Sequence, residues 1–99
     1  MDIEELTVKM HQFVSSKGWY DSISKKPQTP KNLAISLVLE ASEVLELFQW
    51  EEDVVDKPAL AGELADVMLY LLQLASVSNI NLEEAVNKKL SINYHRSWE

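Results

Sequence analysis

Leu33-Ala34-Ile35-Ser36-Leu37-Val38-Leu39-Glu40-Ala41-Ser42-Glu43-Val44-Leu45-Glu46 decides the fold. It has no Gly or Pro and is rich in Leu, Ala and Glu, so it reads as helix. Between Lys31 and Glu51 its only charged residues are Glu40, Glu43 and Glu46. A second stretch, Glu63-Leu64-Ala65-Asp66-Val67-Met68-Leu69-Tyr70-Leu71-Leu72, repeats the plan, and between Glu63 and Glu83 the only charge is Asp66. Neither interval holds a Lys, Arg or His. At about 100° per residue, Glu40 falls among Leu33, Leu37, Val44 and Leu47, and Glu63 among Leu60, Val67, Tyr70 and Leu74. A carboxylate on an apolar stripe must be protonated, paired or bound to a cation.

Residues three apart on a helix share a side, with Cβ atoms about 5–6 Å apart. Each acid pair can therefore reach one point, and two facing helices would bring Glu40, Glu43, Glu63 and Asp66 together. Oxygen ligands without His or Cys suit Mg²⁺ or Mn²⁺. Such a cage usually meets phosphate, where a metal neutralises oxygens and lowers the pKa of water. The parts support water attack on a nucleotide phosphorus, and they equally fit metal storage. Glu46 continues the series at the helix edge, and Glu51, Glu52 and Asp53 read as a solvated loop.

The rest of the chain reads as helix too. Gly occurs only at Gly18 and Gly62, Pro only at Pro27, Pro30 and Pro58, and no alternating run is long enough for a strand. The pattern predicts four helices. The first runs from Ile3 to Lys17, with Asp2 as cap and Gly18 as stop. The second runs from Pro30, capped by Thr29, to Trp50. The third spans Pro58 to Ser78. The fourth follows an Asn81 cap to Arg96. Short links make an all-α four-helix bundle. The second and third helices are apolar over most of their circumference, more than one bundle of this size can cover. That predicts an obligate homo-oligomer, a dimer or tetramer, with those helices in the interface.

Ninety-nine residues imply one domain over 1–99. A net charge of -7 opposes a nucleic-acid polymer or an anionic membrane as partner. There is no Cys, the start Met1-Asp2-Ile3-Glu4-Glu5 is unlike a signal peptide, and acids interrupt every apolar window. The expectation is a cytoplasmic protein with no membrane span.

The acids and their flanks resemble the MazG-like all-α nucleoside triphosphate pyrophosphohydrolases. Asn32-Leu33-Ala34 leading to Glu40-Ala41-Ser42-Glu43 and then Glu46-Leu47-Phe48-Gln49-Trp50 is similar to the branch that hydrolyses dCTP. Glu63-Leu64-Ala65-Asp66-Val67 with Tyr70-Leu71 resembles that family's second motif, with 19 residues between Glu43 and Glu63. The resemblance runs from about Phe13 to Arg96. It implies cleavage between the α and β phosphates of a nucleoside triphosphate, giving a monophosphate and pyrophosphate. It implies Mg²⁺ on Glu40, Glu43, Glu63 and Asp66, and Glu43 as the group that positions or deprotonates the water. Lys89, Asn93 and Arg96 would serve the phosphates, Trp19 and Trp50 the base, and Asn32 the substrate side of the first motif.

Several positions depart from the family. Leu39 and Gly62 stand where many members double the leading acid. Arg96-Ser97-Trp98 replaces a common Arg-Tyr-Pro. Met10 falls where the dCTP branch often has His, with His11 one position off. Of the remaining residues, Lys25, Lys26 and Lys31 read as solubilising or phosphate-attracting, Tyr70 as core, and His11 and His95 as surface residues. Two readings compete. One is a non-enzymatic helical interaction module whose acids form a structural cluster. The other, a di-iron protein, would require Glu-x-x-His, which does not occur. Within the enzyme class, phosphoribosyl-ATP pyrophosphohydrolase has a similar motif, and Phe48-Gln49-Trp50 points away from it.

Overall fold

The computed structural model describes residues 1–53 and 56–98. They form α1 (Ile3–Ser16), α2 (Pro30–Glu46), α3 (Lys57–Val77) and α4 (Leu82–His95), with no strand among them. Each helix opens on a side-chain cap that satisfies an otherwise unpaired backbone N–H. Asp2 accepts from Glu5 N at 2.8 Å, Thr29 from Asn32 N at 3.2 Å, Asp56 from Ala59 N at 3.0 Å and Asn81 from Glu84 N at 3.1 Å. The Asp56 cap starts α3 one residue before Pro58. The acidic link predicted over Glu51–Lys57 includes Val54 and Val55, which lie outside the described residues, as does Glu99.

Two helices close with the same left-handed turn. After α1, Gly18 has φ +74°, its N–H donates to Ser15 O at 3.0 Å, and Trp19 N–H donates to Val14 O at 3.4 Å. A Cβ on Gly18 would lie 3.1 Å from Asp21 Oδ2, so Gly suits the space as well as the angle. After α3, Asn79 (φ +57°) plays this part, with Ile80 N–H donating to Ala75 O at 2.9 Å. The first of these turns sets Trp19 back against the α1–α3 core.

α2 is shorter than predicted. It ends at Glu46, and Leu47, Phe48 and Gln49 then make tighter bonds to carbonyls three residues back, at 3.2, 3.0 and 3.2 Å. Trp50 follows at φ +74°, which a bulky side chain adopts only under strain.

α3 is the hub: it packs most extensively on α2, also on α1, and lightly on α4. Met10, Val14 and Leu72 form the buried centre, flanked by Ile3, Trp19, Met68 and Leu82, while Leu33 is buried on α2. α4 buries no residue. By length and composition α3 could cross a membrane, contrary to the sequence-based expectation. It lies instead at the centre of the bundle and carries Glu63 and Asp66.

The radius of gyration is 16.0 Å, against about 13 Å for a compact chain of ~100 residues. Val38, Leu39 and Leu45 on α2 are 67%, 60% and 71% exposed, and Trp50 beyond it is 91% exposed. The chain thus exposes an apolar surface well beyond its own core.

Candidate metal centre and adjoining cavity

The packing of α2 on α3 turns the two acid pairs toward each other. One carboxylate oxygen each from Glu40, Glu43 and Glu63 lies within 4.8 Å of the other two. Glu40 and Glu63 are half-buried and Glu43 is exposed. Glu40 Oε2 and Glu63 Oε2 are buried without a hydrogen-bond partner. Burial is the main cause that lifts the Glu40 carboxyl to about 7; contact with Glu43 and the charges of Glu43, Asp66 and Glu63 add to it. Glu63 is also raised, first by contact with the Glu43 carboxylate, then by burial, then by the charges of Glu43, Asp66 and Glu46. Asp66 is outside the close group of three but near enough to act on two of its members. Glu46, at the helix edge, acts on Glu63 alone of these two.

Crowded carboxylates with orphaned buried oxygens are stable only with protons or a cation between them. The donor set is all oxygen and negatively charged, so it fits a hard divalent ion. Glu40, Glu43 and Glu63 can hold such an ion, with Asp66 beside them.

Glu40 and Asp66 also line a cavity of about 300 Å³. Its wall is apolar and aromatic: Met10, Phe13, Val14, Trp19, Leu69 and Tyr70, with Gln28 and Gln73 as its amides and Lys9 at its edge. Phe13 and Trp19 meet edge to face, with centroids 5.7 Å apart. A second cavity, about 320 Å³, shares Trp19, Gln28 and Tyr70 and adds Lys25, Lys26 and Asn32. Lys26 Nζ stands 5.3 Å over the Trp19 ring, a cation–π contact. Asn32 donates to Pro27 O at 2.9 Å and ties the loop to the start of α2.

Trp19 thus lines the cavity beside Glu40 and Asp66, while Asn32 lines only the second cavity. The cavity beside Glu40 and Asp66 does not include Trp50, Lys89, Asn93 or Arg96. Lys89 is exposed on α4. Arg96 stacks on the Trp98 ring at 4.2 Å, and Trp98 Nε1 donates to Asn93 O at 3.0 Å. Asn93 Oδ1 is buried without a partner.

The prediction for His11 needs correction. It is not a surface bystander: Nδ1 meets Tyr20 Oη at 2.6 Å and Nε2 meets Ser76 Oγ at 2.7 Å. Reading His11 only for metal-ligand spacing missed this bridge from α1 to α3. His95 is exposed, as predicted. Tyr70, read as core, lines both cavities. Gln73 was passed over. Its signal was available, because it is the only amide side chain in the apolar run from Val67 to Ala75, two helical turns after Asp66.

Comparison with known proteins shows the family. The family description "MazG-like" matches residues 35–97, which include both acid pairs. The chain belongs to the MazG-like family. Among MazG-like relatives, dCTP pyrophosphatase 1 of Mus musculus is 32% identical over 103 residues, covering 95% of this chain. The Homo sapiens protein of the same name is 33% identical over the same share. This chain spans 58% of the length of each. A pyrophosphatase of Archaeoglobus fulgidus DSM 4304, known from its crystal structure, is 41% identical. It superposes with a TM-score of 0.78 over 91% of this chain and 86% of its own.

Proposed function

We propose that this MazG-like chain, one domain over residues 1–99, is a Mg²⁺-dependent nucleoside triphosphate pyrophosphohydrolase. Its substrate is dCTP or a modified pyrimidine deoxynucleotide, its products the monophosphate and pyrophosphate, and its task the clearance of unwanted nucleotides from the cytoplasmic pool. One observation carries this reading: three glutamates converge, two of them with a buried unpartnered oxygen, and one of them, Glu40, lines an aromatic cavity together with Asp66. The relatives named for dCTP and pyrophosphate chemistry support the choice of reaction.

A divalent ion held by Glu40, Glu43, Glu63 and Asp66 would neutralise phosphate oxygens and make a nearby water more acidic. The chain's own groups do the rest. Glu43 is exposed, so water can reach it, and its carboxylate orients that water or takes its proton. Trp19 stacks on the base. Lys25 and Lys26, beside Trp19, supply positive charge next to an otherwise negative site. With Mg²⁺ the protein is expected to release pyrophosphate from dCTP in a screen of all common dNTPs and NTPs, and chelation should stop it. Failure to release pyrophosphate from any of them would overturn the assignment.

The chain works as a homo-oligomer in this reading. Strain at an exposed Trp50, the apolar flank of α2 and the thin core all support it. Assembly covers those surfaces, and Trp50, Lys89, Asn93 and Arg96 serve base and phosphates within it. Sedimentation equilibrium is expected to give the mass of a dimer or tetramer at micromolar concentration. A monomer would remove this part of the proposal.

A further inference from the structure

We propose that the carboxamide of Gln73 selects the base, its carbonyl oxygen accepting a hydrogen bond from an exocyclic amine, so that the cavity prefers 4-amino over 4-oxo pyrimidines. This rests on the pyrophosphohydrolase reading above and deepens it.

The argument starts from a group whose polarity cannot change. Lys26 O is a backbone carbonyl and can only accept. Gln28 Nε2 donates to it at 2.7 Å. The Gln28 amide is thereby oriented, and its Oε1 is left toward α3. Gln73 approaches that oxygen at 2.8 Å, so the approaching atom must be its Nε2. The other hydrogen on the same nitrogen points to Tyr20 Oη at 3.2 Å. Tyr20 is held in place by His11, which is itself anchored on Ser76. Both N–H bonds of Gln73 are thus used; the Gln28 branch ends on a main-chain oxygen, Lys26 O, and the Tyr20 branch on the Ser76 hydroxyl. Its Oε1 accepts no hydrogen bond among the described residues.

Gln73 is 3% exposed and lines the cavity that Glu40 and Asp66 also line. Its unpartnered Oε1 is not fully enclosed, so a ligand in the cavity can reach it. A base inside the cavity can satisfy it. The 4-amino group of cytosine is a donor and fits. The 4-oxo group of uracil or thymine is an acceptor, and it would leave two lone-pair groups facing each other. Sites built around a buried hydrogen bond reject the analogue that lacks the matching group, and they do so more strongly than apolar pockets reject a change in size. Trp19 and Phe13 supply stacking area that every pyrimidine shares, so they bind without choosing.

The test is kcat/KM for dCTP and dUTP, whose pyrimidines differ in the 4-amino against 4-oxo group and in the hydrogen that N3 carries only in uracil, with wild type, Gln73→Met and Gln28→Leu. Wild type should favour dCTP by about tenfold or more. Gln73→Met keeps the length of the side chain but has no carbonyl, and its ratio should fall toward one, chiefly through a higher KM for dCTP. Gln28→Leu removes the oxygen that fixes the polarity of Gln73, lets the amide turn a donor toward the base, and should also narrow the ratio. Wild type with no preference, or a ratio unchanged in Gln73→Met, would overturn the inference and leave the pyrophosphohydrolase reading intact. Should Gln73→Met fail to fold, an unchanged ratio in Gln28→Leu, altered on a partly exposed residue, overturns it. No pyrophosphate from either nucleotide, or from any other, overturns both.

Discussion

Glu43→Gln is expected to cut pyrophosphate release by about 10²–10⁴-fold, the range lost with a general base, while the metal-free protein becomes more stable. The two effects have one cause. The Glu43 carboxylate presses on both Glu40 and Glu63 and raises them. Glutamine keeps the shape and removes the charge, so the pressure drops. The same charge is needed to hold a cation and to take a proton from water, so activity falls as stability rises. A merely destabilising substitution would move both downward. Asp66→Asn removes a charge that also acts on Glu40 and Glu63, and activity should be lost there too with helical circular dichroism intact. Thermal melts in EDTA beside a pyrophosphate assay decide the matter. Full activity in both variants would end the catalytic reading.

This opposition between stability and function also explains what could be read in advance. The acid pairs were legible because each breaks a local rule: a charge in an apolar helix without a partner. Four helices and three of their caps followed from punctuation, with Asp2, Thr29 and Asn81 each before a periodic run. Asp56 was missed because Pro58 is the louder signal, although Pro suits a first turn whose cap precedes it. The end of α2 was misplaced because Leu47-Phe48-Gln49-Trp50 keeps a helical composition while the backbone turns left-handed at Trp50. No propensity marks that change. His11 and Gln73 were hidden for another reason. Their partners, Tyr20, Ser76 and Gln28, lie on other elements, and only packing shows that one network joins them. Trp50, Lys89 and Arg96 are exposed in the single chain, and the roles proposed for them rest on an assembly that a one-chain pattern does not encode.

Mg²⁺ is expected to raise the melting temperature strongly at pH 8 and little at pH 5. At a hundredfold excess over its Kd a ligand contributes about 2.7 kcal/mol, which for a domain of ~100 residues is on the order of 10–20 °C. The pH dependence follows from proton linkage. Glu40 sits near 7 in the folded protein against an ordinary 4.5, and Glu63 is raised as well. Between those values the folded chain binds more protons than the unfolded one, so stability falls as pH rises. Metal-free protein should therefore melt higher at pH 5 than at pH 8, and the difference should shrink in Glu40→Gln. The ion competes with those same protons. Its benefit is small while they are bound and grows as they leave, so the curves with and without Mg²⁺ diverge toward high pH. Protein concentration must be held constant, because assembly also shifts the melt. A melting temperature indifferent to Mg²⁺ at pH 8 would mean that the three glutamates do not hold it. Their convergence would then be the structural acidic cluster of an interaction module.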